Sequence, residues 1–325
     1  MIDTPGNGPR MSIVMPNYNH GHLIAEALSA ISSQTLLPFE VVLVDDGSTD
    51  DSLRRLQALA VGRPWLRVHA LPENRGVSHA CNTGLALVRG QFVLFSAADD
   101  SLAPDTVARA QAAAAAFPHT GIVFSDAAEM SADGSAKRVL PFDLPPGRRH
   151  YSPGEFVGLM QRSFFYFHVS SVWFDVGLLR ALGGLRPELR WHADIFAAYA
   201  AAFERGATYE PGAVAYFRST PGSYSTGRRG AAQVAVLRAW LAATREPGWE
   251  GRRAAFVAAA IWPEYSLRGL RVLLSDPGYI TPRLAGRVAR LVVWTKAAPL
   301  VNAGLRERLR GLRTRYRRSR SLPPS

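Results

Sequence analysis

The sequence predicts an α/β fold in which helices flank a mostly parallel β-sheet. Between residues 11 and 124, short runs rich in β-branched and aromatic residues alternate with segments whose apolar residues recur at helical spacing. This alternation is typical of βαβ units with right-handed crossovers. The 47% apolar and 20% charged residues are ordinary for a globular protein, so the chain can bury such a sheet.

Five strands and four helices account for this part of the chain. The predicted strands are Ser12–Met15, Glu40–Val44, Leu66–Ala70, Phe92–Phe95 and Gly121–Phe124. The predicted helices between them are Leu23–Ser33, Asp50–Ala60, Gly76–Val88 and Pro104–Phe117. Asp50 or Asp51 is expected to cap the second of these helices, after the turn-forming residues "DGST".

Acidic side chains follow three of the predicted strands. Asp45 and Asp46 follow the second strand, Asp99 and Asp100 the fourth, and Asp126 the fifth. A buried carboxylate without a partner is costly, so these groups must meet water, cations or a metal. Because parallel sheets bind ligands beyond the carboxyl ends of their strands, we expect a ligand site at this edge.

The second half of the chain changes character. The pattern breaks up near residue 127, and "LPFDLPPGRRHYSPG" predicts a long loop that can cover a site. A strand at His168–Phe174 and a helix over 195–205 are predicted next, and only helices beyond residue 230. We therefore predict a first domain over residues 1–227 and a helical C-terminal region over residues 228–325.

Cysteine usage and charge limit the function classes. The single cysteine, Cys81, excludes an internal disulfide and a Cys-rich zinc site, and suits a reducing cytoplasm. The N-terminus predicts no signal peptide, and no stretch of about 18 apolar residues predicts a membrane span. Of the net charge of +12, residues 283–325 carry +11, so the rest of the chain is close to neutral.

Several motifs resemble one enzyme family. The stretches "SIVMPNYNHGHLIAEALSAISSQ", "FEVVLVDDGSTDDS", "NRGVSHACNTGLALVRGQFVLFSAADD" and "WHADIFAAYAAAFERG" are similar, in order and spacing, to the family 2 glycosyltransferases. The resemblance covers about residues 11–220. It implies a GT-A type, Rossmann-like sheet that binds a nucleotide-sugar, with a helical basic C-terminal extension. It also implies inverting transfer of a sugar to an acceptor hydroxyl, in cell-surface glycan or polysaccharide synthesis.

The resemblance implies a nucleotide site at Pro16, Tyr18, Asp46, Asn74 and Arg218. Tyr18 offers a flat face to the base, unless it packs in the core. Asp46 accepts a hydrogen bond from a base N–H and cannot donate one, which favours uracil over cytosine and hence a UDP-sugar. Arg218 would neutralise the diphosphate, with Ser223 and Ser225 ordering its loop.

Not every acid of "DDGSTD" needs to bind the nucleotide. Asp45 is expected to support the turn together with Ser48, and the whole stretch also reads as a capped strand-to-helix turn. A turn requires only one of these acids, so the two functions coexist.

The resemblance assigns Asp99 and Asp100 to a divalent metal, Mn²⁺ or Mg²⁺. Hard oxygen ligands suit both ions, and one carboxylate plus the donor diphosphate suffices. Ala97 stands where the family usually has a first acid, and Ala98 is the spacer. The alternative is that Asp99 and Asp100 cap the helix that opens near Pro104.

Asp194 matches the family's catalytic base, which takes a proton from the acceptor hydroxyl. The N-terminal dipole of its helix favours the ionised carboxylate. Ala193 replaces a common glutamate, so a different acceptor pocket is expected. Trp191 and His192 are candidates for acceptor contacts, although a lone histidine is more often structural, and His168 is expected inside a strand.

The basic C-terminal segment and the alanine substitutions leave other functions open. Residues 283–320 mix Leu, Val and Trp with Arg at helical intervals, which favours peripheral attachment to an anionic membrane. The alternative is a solvated helical face packed on its own domain. Ala97, Ala98 and Ala193 are also consistent with a catalytically inactive nucleotide-binding or scaffold protein.

Two other classes are disfavoured. A nucleic-acid-binding protein is disfavoured because the near-neutral body contains no recognised nucleic-acid module. A dinucleotide-dependent dehydrogenase is disfavoured because no G-x-G-x-x-G follows the first strand. The expected partners are a nucleotide-sugar, a glycan or lipid-linked acceptor and an anionic membrane surface, with a cytoplasmic location.

Overall fold

The structure, a computed structural model, describes residues 8–98, 100–131, 137–163, 165–218, 230–264 and 266–297. The chain forms two compact units, Met1–Ala259 and Ala260–Ser325. The predicted domain boundary after residue 227 lies outside the described residues and stays a prediction.

The first unit contains a mixed β-sheet. Its described strands are β1 (Met11–Asn17), β2 (Glu40–Asp45), β3 (Leu66–Ala70), β4 (Phe92–Phe95), β5 (Ser101–Leu102), β6 (Ile122–Met130), β7 (Lys137–Leu140), β8 (Arg149–Tyr151), β9 (Val172–Asp175) and β10 (Ala207–Arg218). Their order is β3-β2-β1-β4-β9-β6-β10-β5, with β7 beside β6 and β8 beside β10. The predicted α/β class and the first four strands are confirmed.

Helices cover the sheet. The helices of the first unit are α1 (Ile24–Ser32), α2 (Ser52–Ala60), α3 (Val77–Leu87), α4 (Thr106–Ala116), α5 (Pro153–Arg162), α6 (Val176–Ala181), α7 (Ala193–Arg205), α8 (Gly230–Thr244) and α9 (Glu250–Ala258). The first four fall where helical spacing predicted them. Asp51 precedes α2, but it is Asp50 whose Oδ1 accepts the N–H of Ser52, at 3.0 Å.

The alternation of side chains along β1 separates two packing layers. Ile13 and Met15 belong to a core that α1, α2 and α4 cover. On the other face α3 approaches so closely that a Cβ on its Gly84 would lie 2.4 Å from Cγ1 of Val14. Since β1 is buried on both faces, its near-continuous apolar sequence is what a parallel sheet requires.

The second half of the sheet departs from the predicted topology. β9 begins at Val172 and runs antiparallel between β4 and β6, and a 3-10 turn over Val169–Ser171 precedes it. The predicted strand from His168 was therefore four residues too long at its start. β10 returns parallel to β6, so β1, β2, β4, β6 and β10 all end at the same edge.

The second unit is helical where the structure describes it, with α10 (Leu267–Leu273) and α11 (Pro282–Ala297). The hydroxyl of Tyr279 donates to the carbonyl of Ile261, at 2.9 Å. Leu284 and Val288, one turn apart on α11, are buried. In the part of the chain that the structure describes, no helix has both the length and the hydropathy of a membrane span.

The turn after β2 fits tightly against the loop before α3. Gly47 has φ +68°, and a Cβ there would lie 2.5 Å from the carbonyl carbon of Glu73 and 2.7 Å from the nitrogen of Asn74. Both neighbours are backbone atoms, so only glycine fits without moving the loop. Gly62 provides a comparison, because it has φ +74° with no atom within 4 Å of such a Cβ.

We expect Gly47→Ala to lower the free energy of unfolding more than Gly62→Ala. The left-handed backbone costs either alanine about 1–2 kcal/mol, and steric overlap adds about 1–3 kcal/mol at Gly47 alone. Urea unfolding followed by circular dichroism measures both variants. Equal losses at the two positions would show that the turn and the loop are not in tight contact.

Candidate functional site

The site lies at the carboxyl edge of the sheet, where loops from neighbouring strands meet. Asn17 pairs with Asp45 at the ends of β1 and β2, so the following loops leave the sheet side by side. This is the position at which open parallel sheets bind ligands.

Asp45 supports the turn after β2, as the sequence predicted. Its carboxylate accepts hydrogen bonds from the Ser48 hydroxyl at 2.7 Å and the Ser48 N–H at 3.0 Å. Nδ2 of Asn17 donates to Oδ1 of the same carboxylate, at 2.7 Å. Asp45 is buried, and these donors compensate the loss of water around its charge.

Asp46 binds the loop before α3. Its Oδ1 accepts from the N–H of Arg75 at 2.9 Å, and its Oδ2 accepts from the N–H of Gly76 at 2.8 Å. Oδ1 of Asn74 accepts from the same Gly76 N–H, at 3.1 Å. Each carboxylate oxygen can accept a second hydrogen bond, so Asp46 retains acceptor positions. Its predicted role toward the nucleobase stays a prediction.

Tyr18 stands at the surface beside these loops. Its side chain is 41% exposed, so the alternative that it packs in the core is wrong. The following residue, Asn19, has φ +55°, and its Oδ1 accepts from the N–H of Thr49 at 2.8 Å. Pro16 lies within β1 and pairs with Val44. The loop that presents Tyr18 is therefore fixed on both sides.

The acidic pair after β4 is described in part. Asp99 lies outside the described residues. Asp100 is buried, and its Oδ2 accepts a short hydrogen bond from the hydroxyl of Ser170. α4 begins after Asp105, so Asp100 does not cap that helix. No sequence pattern indicated the contact of Ser170 with Asp100, because Ser170 lies seventy positions further along the chain.

The chemistry of the acidic pair suits a hard divalent cation. Carboxylate oxygens are the ligands that Mn²⁺ and Mg²⁺ prefer, and these ions commonly keep phosphate oxygens and water in the remaining positions. Among the described residues no three His, Cys, Asp or Glu side chains are grouped for metal binding.

Arg218 lies at the last position of β10, on the same edge. Its guanidinium forms a short ion pair with Glu26, in the first turn of α1. The side chain of Arg218 is mostly buried, whereas that of Glu26 is exposed. The contact connects the end of β10 to the helix that follows the Tyr18 loop. Ser223 and Ser225 lie outside the described residues.

Asp194 occupies the first turn of α7, where the helix dipole favours a negative charge by about 0.3–1 kcal/mol. Its Oδ1 accepts from the N–H of Ile195, at 2.8 Å. Arg190, just before this turn, has φ +45°, which is uncommon for a residue with a side chain. Strained backbone of this kind often occurs at functional sites.

Helix α3 lies between the loop that Asp46 binds and the segment that leads to Asp194. The pKa of the buried Cys81 thiol is raised first by burial, and then by the negative charges of Asp194 and Asp46. Both carboxylates thus lie near one side chain of α3. On the same helix Asn82 donates to the carbonyl of Leu185 at 2.7 Å and accepts its N–H at 2.8 Å, which holds the segment leading to Asp194.

Trp191 and His192 are buried instead of lining an open pocket. Nε1 of Trp191 donates to Oε1 of Gln233, at 2.7 Å, and the amide nitrogen of Gln233 lies 3.3 Å from Nε2 of His192. His192 also meets the edge of Trp240. This contact with α8 gives both residues a structural role, and their predicted contact with an acceptor stays a prediction.

Asp126, expected beyond the end of a strand, lies inside β6 and organises neighbouring backbone. Its Oδ2 accepts from the Tyr209 hydroxyl and the Gly212 N–H, each at 2.9 Å, and its Oδ1 from the Phe142 N–H at 3.0 Å. Burial and the adjacent charge of Asp126 raise the pKa of Tyr209. The carboxylate is thus part of the sheet and not of the ligand edge.

His168 was expected in a strand and instead lies before β9, at the carboxyl edge of the sheet. Its imidazole stacks on Phe217, with ring centroids 3.9 Å apart and planes 16° apart. Burial lowers the pKa of His168 to about 4, so the ring is neutral near pH 7. No sequence pattern indicated this contact, because it depends on β9 starting later than predicted.

Residues 12–171 match the model of the family described as Glycosyl transferase family 2. The chain is 38% identical over 99 residues to chondroitin synthase of Escherichia coli, which is 30% of this chain and 14% of the synthase. It is 35% identical over 119 residues to a PGL/p-HBAD biosynthesis glycosyltransferase of Mycobacterium bovis, which is 36% of this chain and 46% of that protein. The chain thus spans less than half of the length of these relatives.

Solved structures share the fold. TarS 1-349 of S. aureus in complex with UDP-GlcNAc has a TM-score of 0.61 at 18% identity, over 87% of this chain and 84% of that chain. The mannosyltransferase PcManGT of Pyrobaculum calidifontis, in complex with GDP-Man and Mn2+, has a TM-score of 0.55 at 24% identity, over 93% and 84%. The predicted GT-A fold is confirmed, and the predicted resemblance to glycosyl transferase family 2 is confirmed over residues 12–171.

Proposed function

We propose that this chain is an inverting glycosyltransferase that moves a sugar from a UDP-sugar to an acceptor hydroxyl. The observation that carries the proposal is the arrangement around α3. The loop at its N-terminus is bound by Asp46, and its Asn82 holds the segment that leads to Asp194. One rigid element thus supports both the predicted nucleotide loop and the predicted base.

The proposed nucleoside site is formed by Tyr18 and Asp46. The exposed ring of Tyr18 provides a stacking surface for a base. Asp46 accepts backbone N–H groups and can accept the N–H of uracil, but it offers no donor to cytosine. Asn74, in the loop that Asp46 holds, lies where it would line this site. Solved relatives bind UDP or a GDP-sugar, which is consistent with a nucleoside diphosphate donor.

The proposed diphosphate site is formed by Asp99, Asp100 and Arg218. Mn²⁺ or Mg²⁺, when bound by the carboxylates, would supply a Lewis acid and hold the two phosphates in place. Glu26 neutralises Arg218, and phosphate oxygens would replace the exposed Glu26 carboxylate as its partner. Arg218 would then offset the charge on the leaving diphosphate.

Asp194 is the proposed general base. In an inverting transfer the acceptor oxygen attacks the anomeric carbon on the face opposite the diphosphate, and the bond to the diphosphate breaks. The acceptor hydroxyl proton passes to Asp194, and the electron pair of the broken bond stays on the leaving phosphate. The position of Asp194 in the first turn of α7 favours the carboxylate form, which is the form that accepts this proton.

Trp191 and His192 support Asp194 in this proposal. Both rings are fixed by Gln233, immediately before the helix that carries the base. An acceptor would contact the surface above Trp191 and His192, which these two rings stabilise. We propose a glycan or lipid-linked acceptor and a role in cell-surface glycan synthesis.

The basic C-terminal segment is proposed to hold the chain on an anionic membrane, at the cytoplasmic face where lipid-linked acceptors occur. Residues 283–325 carry a net charge of +11. Since Leu284 and Val288 are buried, the first turns of α11 would contribute charge rather than apolar surface. Each basic residue near such a surface contributes about 1 kcal/mol.

Calorimetric titration with UDP, GDP, CDP and dTDP tests the donor site. We expect UDP to bind, and Mn²⁺ to strengthen its binding at least about tenfold, because a carboxylate-held cation contributes more than about 1.4 kcal/mol. Asp99→Asn should lose the effect of Mn²⁺. Asp105→Asn, which changes an aspartate before α4, should retain it.

Three outcomes of the titration would contradict parts of the proposal. Binding of none of the four nucleotides favours the catalytically inactive scaffold that Ala97, Ala98 and Ala193 suggest. Preference for another base contradicts the choice of a UDP-sugar, and preference for cytosine also contradicts the role of Asp46 as an acceptor of a base N–H. UDP binding that is equally strong with and without Mn²⁺ contradicts the metal site.

Vesicle flotation tests the membrane contact. Replacing Arg313, Arg315, Arg317, Arg318 and Arg320 with Gln removes five positive charges from the full chain. We expect the natural chain to float with vesicles of phosphatidylglycerol and phosphatidylcholine at physiological salt. The variant should remain in the bottom fraction of the gradient. Phosphatidylcholine vesicles are the control and should bind neither. Equal flotation of both chains would contradict an electrostatic attachment.

A further inference from the structure

The imidazole of His168 lies between two parts of the proposed donor site. Ser170, two residues further along, donates its hydroxyl to Asp100. The ring itself stacks on Phe217, which directly precedes Arg218. The turn that follows His168, Val169–Ser171, packs against β4, β6 and β10. The ring is thus held at the edge where the diphosphate site is proposed.

The imidazole of His168 has no hydrogen-bond partner among the described residues, although the backbone carbonyl of His168 accepts from Ser171. Its Nδ1 is buried and unpaired, and no bond is formed by Nε2. Leaving a buried polar atom without a partner costs about 1–3 kcal/mol. Phe217 covers one face of the ring, and a ligand would hydrogen-bond at the ring edge, where the two nitrogen atoms lie. An unpaired group in such a place requires an explanation.

The sheet order indicates which part of a nucleotide-sugar reaches this ring. The nucleoside loops follow β1 and β2, and the acidic pair follows β4, which is the next strand. β9, which follows His168, is one strand further in the same direction, about 10 Å from β1. If the base lies at β1 and β2 and the diphosphate at β4, the sugar of the same nucleotide-sugar would lie next to β9, at His168.

We propose that His168 hydrogen-bonds a hydroxyl group of the donor sugar and thereby contributes to sugar specificity. This inference rests on the proposed function. A neutral imidazole has one donor and one acceptor nitrogen, and a sugar hydroxyl can complement either. Burial lowers the pKa of His168 to about 4, which keeps the ring in this form near pH 7. Phosphate oxygens form stronger hydrogen bonds with the cationic Arg218 than with a neutral imidazole.

The test compares a nucleotide with its sugar derivative. UDP and UDP-GlcNAc are titrated in parallel, and GDP and GDP-mannose replace them if the natural chain binds guanine nucleotides. We expect His168→Phe, which preserves the aromatic stack, to bind the sugar nucleotide about 5–20-fold more weakly, as for one lost hydrogen bond. Affinity for the free diphosphate should stay within about twofold. His168→Asn, which restores a donor and an acceptor, should recover part of the loss.

His150 provides a matched control. Its ring also stacks on a phenylalanine, Phe117, with centroids 5.1 Å apart, but its Nδ1 is 3.0 Å from the Thr208 hydroxyl. It lies on β8, beside the start of β10 and away from the carboxyl edge. His150→Phe should change neither affinity. His168→Ala, compared in the same way, replaces His168→Phe if that variant does not fold.

The possible results separate the inference from the proposed function. If the natural chain binds no nucleotide diphosphate, the proposed function fails before His168 is tested. If the His168 variants bind the diphosphate and the sugar nucleotide as the natural chain does, His168 does not contact the sugar. An equal loss for both ligands would assign His168 to the diphosphate or to the structure of the edge, and would also overturn the inference.

Discussion

The burial of two adjacent carboxylates, Asp45 and Asp46, is the constraint on which the site depends. Both lie at the end of β2, and neither can keep its charge there without hydrogen-bond donors. Asp45 obtains them from its own turn and from Asn17, whereas Asp46 obtains them from the backbone of the loop before α3. Three loops at the carboxyl edge are therefore fixed by the same requirement.

This constraint extends along α3 to the proposed base. The helix starts at the loop that Asp46 binds, packs against β1 without space for a side chain at Gly84, and holds the chain at Leu185 through Asn82. A displacement of the loop that Asp46 binds would thus affect the segment before Asp194. Coupling of this kind suits a transfer in which the base and the leaving group must be aligned on opposite faces of one sugar.

The first half of the fold could be predicted from the sequence because its contacts are local. Strands β1 to β4 and helices α1 to α4 follow from apolar spacing and turn residues, and Asp45 with Ser48 follows from a three-residue turn. The exposure of Tyr18 could not be predicted, since a tyrosine suits a core as well as a surface. The resemblance to the family motifs favoured an exposed Tyr18, but the residues themselves did not.

The contacts that were missed all join distant parts of the chain. Ser170 with Asp100, Arg218 with Glu26, and Gln233 with Trp191 are separated by 70, 192 and 42 positions. No periodicity encodes such pairs. Asp126 was expected at the ligand edge because the length of β6 was underestimated, and its carboxylate instead binds three groups within the sheet.

The central claim is that Asp194 acts as the base beside a nucleotide-sugar held at the carboxyl edge. Its most direct test measures release of the nucleoside diphosphate from the preferred sugar nucleotide in the presence of acceptor, for the natural chain and Asp194→Asn. Loss of a positioned base should lower turnover about 10²–10⁴-fold, with nucleotide affinity unchanged. Glu188→Gln, which alters an exposed acid of the same segment, should retain turnover. Undiminished turnover in Asp194→Asn would contradict the account.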